Sequence, residues 1–314
     1  MICILIHYQY WKYSLKRKLL ANSRIVQLKC GQVEYAVLGK GPIILISHGG
    51  GIGYDNIYTY DFLVKAGFQL ICPSRPGYLR TKLKGEDSFE AQADMFAALL
   101  DDLKIREKVG VIALSMGGPA ALQFALRHPH KLKCLVMQDA VSMEYHPSKE
   151  AESSLLGKLF LSPYGQNVMS YMMDISTKMF PKSIFKTYLK VESTYDDKKI
   201  NQILEDVMQD RTEIDKIKLF SRQISPMALR SKGAFDELNL ATKIPRYPLE
   251  QIKIPTLVTH SKVDGDVPLK HGQFVANSIE GAQLYTFEGC GHMFWFGKEG
   301  KKLEKILIEF FRKF

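Results

Sequence analysis

Six short apolar runs constrain this chain more than anything else in it: Ile43 to Ser47, Phe68 to Cys72, Val109 to Leu114, Cys134 to Gln138, Thr256 to His260 and Gln283 to Phe287. They are rich in β-favouring residues and continuous, which is what strands covered on both faces require. Helical text lies between several of them. Ser88 suits an N-cap with Ala91 at the third helical position, and Phe89, Ala93, Phe96, Leu99, Leu100 and Leu103 recur at helical spacing. Met116 to Arg127 reads as a second helix, closed by His128-Pro129, and Lys301 to Arg312 as a third. Strand, helix and strand in repetition predict an α/β fold with a mostly parallel central sheet flanked by helices. Ahead of it, the alternating runs Ile25 to Cys30 and Val33 to Leu38 predict a hairpin turning at Gly31-Gln32.

The rhythm breaks between 143 and 250. Amphipathic segments at Leu155 to Phe160, Gln166 to Phe180, Ile184 to Val191 and Ile200 to Val207 are punctuated by Pro147, Pro163, Pro181 and Pro226. The expected organisation is therefore an arm over residues 1–24, an α/β core over 25–142 and 251–314, and a helical insertion over 143–250. A Met cluster in the insertion (Met169, Met172, Met173, Met179 and Met208) suits either ordinary core or a deformable apolar pocket.

The chain is basic, with 43 Lys and Arg against 33 Asp and Glu, a net charge of +10. The excess sits at the ends: residues 1–29 carry +6, the last seventeen +3 and everything between only +1. A basic groove for nucleic acid is thereby excluded. Five scattered cysteines, Cys3, Cys30, Cys72, Cys134 and Cys290, lack metal-ligand spacing and read as reduced, so neither a disulfide framework nor a metal site is expected. The opening run from Met1 to Ile6, followed by Tyr8, Tyr10, Trp11 and Tyr13 and then Lys16-Arg-Lys18, is too short to span a bilayer. It suits a segment at a membrane interface, or an arm packed on the domain. A cytoplasmic location, with peripheral membrane contact through this arm, and a monomeric or dimeric state are the expectations.

Two segments carry chemistry. In Ala113-Leu-Ser115-Met-Gly117-Gly118, a serine stands between a strand and a helix with tiny residues two before and two after it. A nucleophile on so tight a turn has strained backbone angles, and larger neighbours would collide. His48-Gly49-Gly50-Gly51 follows the first apolar run. Glycines let backbone N–H groups approach a developing oxyanion, and Gly50 with Met116 would supply the pair. Phosphate binding is the weaker alternative, since the P-loop pattern is missing.

With Pro73-Ser-Arg75-Pro-Gly77-Tyr78, Ile254-Pro255, Ser261-Lys-Val-Asp264-Gly-Asp266-Val-Pro268 and Gly289-Cys-Gly-His292 added, the chain resembles an α/β-hydrolase-fold serine hydrolase with a helical cap over about residues 30 to 312. The first small residue of the elbow is Ala113 where the family usually has Gly. The resemblance implies a catalytic set in the order Ser115, Asp264, His292. Serine needs a base, and the base needs a carboxylate to hold its tautomer. Asp264 fits best as that acid, with Asp266 and Asp139 as competitors. His48 reads as a buttress of its loop, Arg75 as an anchor of its turn, and His7, His128, His130, His146 and His271 as surface or capping residues.

A serine at the elbow disfavours the dehalogenase and epoxide-hydrolase chemistry of relatives that carry Asp there. The resemblance therefore implies hydrolysis of a carboxylic ester or related acyl bond of a hydrophobic small molecule, with no cofactor. Local likenesses to meta-cleavage product hydrolases, haloperoxidases and proline iminopeptidases keep carbon–carbon hydrolysis and aminopeptidase activity open. A noncatalytic small-molecule receptor on the same fold is the competing class.

Overall fold

A computed structural model describes residues 2–85, 87–147, Ser153, Gly157 and 162–314. Nine strands form one sheet among the described residues, in the order β1 (Arg24–Leu28), β2 (Gly31–Leu38), β4 (Gln69–Pro73), β3 (Ile43–Ser47), β6 (Val109–Leu114), β7 (Leu132–Gln138), β8 (Thr256–Ser261), β9 (Gln283–Phe287). A two-residue β5 (Lys82–Leu83) pairs with β2. From β4 through β9 every neighbour is parallel, and β2 joins them antiparallel. The chain is thus the mostly parallel α/β structure that the continuous runs require.

Why those runs do not alternate is visible in the packing. Val109, Val111 and Ala113 of β6 face one core layer, shared with α3 (Phe89–Asp102) and α4 (Gly118–Arg127). Ile112 between them faces the other, with Leu303, Leu307 and Phe311 of the C-terminal helix α11 (Gly297–Lys313). Both faces are dry, so every position is apolar. Two local expectations shift. The hairpin turns at Lys29-Cys30, since Leu28 pairs with Gly31, and Gly31 already belongs to β2. A β-carbon at Gly31 would meet the Lys82 carbonyl oxygen at 2.3 Å, so glycine is there for the approach of β5. The helix expected from Met116 begins at Gly118, after a 3₁₀ turn over Ser115–Gly117.

Between β7 and β8 the described residues include five α-helices: α5 (Pro163–Met179), α6 (Pro181–Glu192), α7 (Asp197–Met208), α8 (Arg211–Gln223) and α9 (Ser231–Ala241). The segment expected at Leu155 to Phe160 lies outside the described residues, apart from Gly157. Phe185, Leu189, Ile200, Leu204 and Ile217 give this region a small core of its own, continued by Met293 and Phe296 beside His292. Two buried ion pairs tie it to the sheet. Arg75 bonds Glu237 through two nitrogens at 2.5 and 2.6 Å, and Arg230 grips Asp55 at 2.9 and 2.7 Å. A backbone tie is added where Thr194 N–H donates to Val263 O and Gly265 N–H to Glu192 O. The chain also opens with α1 (Ile2–Ala21), whose Tyr8 and Trp11 pack against Tyr171 of α5. No described helix is long and apolar enough to cross a membrane.

Candidate active site

Ser115 sits at the carboxyl end of β6 with φ of 50°, in the left-handed region that a non-glycine residue rarely occupies. What holds it there is the crowding around it. A β-carbon at Gly117 would stand 2.1 Å from the Ser47 carbonyl oxygen and 2.7 Å from that of His48, so β3 leaves room for glycine alone. Ser47 Oγ–H donates to Gly117 O at 2.8 Å, and Val141 N–H to Ser115 O at 3.0 Å, pinning the turn from both sides.

His292 arrives on the loop after β9 and Asp264 on the loop after β8. Asp264 Oδ2 is 2.7 Å from His292 Nδ1, and His292 Nε2 is 3.0 Å from Ser115 Oγ. A carboxylate only accepts, so Nδ1 carries the proton and donates, which leaves Nε2 to accept from the serine hydroxyl. Asp264 is itself fixed, since its Oδ1 accepts from the N–H groups of Asp266 and Val267 at 2.8 Å each. Burial disfavours the charged form of His292, but the charge and hydrogen bond of Asp264 outweigh it and hold the imidazole well above its ordinary value.

The competing carboxylates lie nearby in other positions. Asp139, also at positive φ, accepts from Ser261 N–H at 2.8 Å. Its carboxyl is pushed well above the usual range by burial and then by the Asp264 charge. Asp266 faces the other side of the imidazole, 3.9 Å from Nε2, and accepts from Tyr145 O–H at 2.6 Å. Neither bonds Nδ1.

The glycine loop lies against the serine turn, where a β-carbon at Gly50 would be 3.5 Å from that of Met116. His48 holds the loop from beneath. Its Nε2 accepts from Arg75 N–H at 2.9 Å, so Nδ1 donates to Gly49 O at 2.7 Å. Burial, then the Arg75 charge, lowers its pKa well below the ordinary value, and it stays neutral. His271, expected at the surface, is buried instead, accepting from Ser142 N–H at 3.2 Å with its pKa lowered to about 4 by burial.

A cavity of about 320 Å³ opens over Ser115 and His292. Its roof is apolar, with Met173, Tyr188, Val191, Phe220 and Met227 from the segment between β7 and β8. Of the Met cluster, which suited either ordinary core or a pocket, Met173 lines the cavity, whereas Met172 and Met179 are exposed. Sequence reasoning missed Tyr145, Glu192 and Arg230 in the wall, each too far along the chain from the motifs to be read with them. Glu192, Asp266 and His292 bring ligand atoms within 4.8 Å of one another, as do Asp139, His260 and Asp264. In the second group Nε2 of His260 is committed to Val267 O at 2.8 Å, and both acids are hydrogen-bonded as described. That group reads as a support behind the imidazole.

Residues 42–162 match the model of the alpha/beta hydrolase fold family. An uncharacterized hydrolase of Bacillus subtilis, YcgS, is 32 % identical over 281 residues, 89 % of this chain and 95 % of its own. A 2-hydroxy-6-oxo-6-phenylhexa-2,4-dienoate hydrolase of Comamonas testosteroni is 27 % identical over 90 % of this chain and 91 % of its own. Among solved structures, an alpha/beta hydrolase fold protein from Nakamurella multipartita superposes with a TM-score of 0.81 and 26 % identity, over 91 % of this chain and 98 % of that one. On sequence and fold together, the chain belongs to the α/β-hydrolase fold family, and it is a hydrolase of that fold.

Proposed function

We propose that this chain is a serine hydrolase that cleaves a carboxylic ester of a hydrophobic small molecule through an acyl-enzyme on Ser115. The observation that carries the reading is the hydrogen-bonded line from Ser115 Oγ through His292 to Asp264 on the floor of an apolar cavity. Ser115 Oγ attacks the ester carbonyl while His292 Nε2 takes its proton, and Asp264 stabilises the imidazolium. The carbonyl oxygen, now an alkoxide, accepts from the N–H groups of Gly50 and Met116. As the intermediate collapses, the leaving alcohol takes the proton from His292. Water then repeats the sequence on the acyl-enzyme, releasing the acid and restoring Ser115. The helices between β7 and β8 act as a cap that supplies the apolar roof.

A second reading, carbon–carbon bond hydrolysis on the same three residues, draws on the name of the Comamonas relative. A dienoate carries a carboxylate. Here Arg230, the one Lys or Arg among the described lining residues, is already paired with Asp55 through two hydrogen bonds. An uncharged ester suits that wall better.

The test is labelling with a fluorophosphonate probe, followed by kinetics on p-nitrophenyl esters of increasing chain length and on a dienoate. Wild type is expected to label and to turn over esters, with kcat in Ser115→Ala lower by at least about 10³-fold. Labelling that survives Ser115→Ala overturns the assignment of the nucleophile. Turnover of the dienoate in place of any ester favours the second reading.

A further inference from the structure

We infer that α1 is an interfacial helix whose outer face docks on an anionic lipid surface while its inner face stays fixed to the protein. The inner face is settled by contacts. Tyr8, Trp11 and Leu15 pack on Tyr171, Val168 and Ile175 of α5, and Trp11 Nε1–H donates to Asp174 Oδ2 at 3.0 Å. At the other end Tyr54 O–H donates to Leu19 O at 2.6 Å. The helix is therefore anchored from Tyr8 to Leu19.

The opposite face carries Cys3, Ile6, Tyr10, Tyr13, Arg17 and Leu20, spaced three and four apart on one unbroken stripe. Ile6 and Tyr13 are 65 % exposed and Tyr10 69 %. Such a stripe on a solvated helix wants a partner. Beside α1, Met172 and Met179 of α5 are also exposed, one turn from Val168 and Ile175 at the seam. Tyr164, also exposed, lies with its ring 6.3 Å from that of Tyr8.

Charge decides between occupants. Lys12, Lys16, Arg17 and Lys18 are all exposed on α1, and residues 1–29 contain no acid. A stripe at this spacing also suits a helix pair, but a second copy would bring four bases against four with no acid on either helix to pair them. Anionic headgroups answer both features. Apolar and tyrosine side chains enter the boundary of the acyl region, and the lysines reach the phosphates from its flanks. The helix is 20 residues and lies in the plane of the interface without spanning it.

The experiment is cosedimentation of the full chain with vesicles of phosphatidylcholine alone and with vesicles containing phosphatidylserine. Wild type is expected to bind the serine-containing vesicles at least tenfold more tightly, and raised salt should release it. Lys12→Glu with Lys16→Glu should weaken binding by more than about twentyfold, since each base near the surface is worth about fivefold. Ile6→Ser with Tyr10→Ser and Tyr13→Ser should abolish binding, with unchanged circular dichroism and Tm, because none of the three is in the core. The inference is overturned if wild type binds neither vesicle, or if the serine variant binds as well as wild type. Sedimentation equilibrium closes the remaining route: a wild-type dimer that the serine variant makes monomeric, with no vesicle binding, would make the occupant a second copy and overturn the lipid assignment.

Discussion

His292 is held in a charge-favouring site, and the proposed mechanism uses its neutral form, so on that mechanism its pKa sets the acid limb of the rate profile. Since Asp264 keeps that pKa above the ordinary 6.5, kcat/KM should fall with decreasing pH from a point above 6.5. Asp264→Asn removes the charge that raises the value and presents a group able to donate where only an acceptor serves. Activity should then drop by about 10⁴-fold, and the residual acid limb should move to lower pH. A pH profile of kcat/KM on both proteins checks it, and a limb that does not move would assign it to another group. Much at this scale was legible in the sequence: Ser115, Asp264 and His292 are local motifs in a fixed order. What separates the three candidate acids was not legible. Asp264, Asp266 and Asp139 differ in which side of one imidazole they reach, and that depends on the paths of two loops and the end of β7.

Among the elements, the strands were the most readable, because a doubly covered sheet leaves an unbroken apolar signature. The ties between elements were not. Asp55 and Arg230 are 175 residues apart, and Arg75 and Glu237 162, so nothing local announces either pair. Arg75 was expected to anchor its own turn, and it does bond the His48 carbonyl, but its charge is answered by α9. Its side chain is fully buried and that of Glu237 nearly so, which makes loss of one partner costly. Glu237→Ala should destabilise the protein by about 3–5 kcal/mol by stranding a buried guanidinium. The combined change Arg75→Met with Glu237→Leu should fall much closer to wild type, since no charge is then left unpaired. Urea denaturation distinguishes the two, and equal losses in both would mean that packing, not charge, makes the tie.

For the molecule as a whole, the +10 of the sequence separates into a near-neutral body and basic ends, and the structure gives the first of those ends a rigid seat on α5. That same α5 supplies Met173 to the cavity roof, so a single helix thickness, about 10 Å, lies between the outer arm and the reaction space. The arm was readable as a departure in composition, but which of its faces is covered depends on Tyr171 and Asp174 far down the chain. The two buried ion pairs that fasten the segment between β7 and β8 also bear on how this protein can be recombined. Each pair has one member in the sheet's loops and one in that segment. A segment grafted from a relative without acid and base at the positions of Glu237 and Arg230 would leave Arg75 and Asp55 buried with no counter-ion. The stretch is thus not an interchangeable module: recombination has to carry residues from both sides of the seam, and chimeras that exchange Asp55 and Arg75 along with the segment should fold where simple swaps do not.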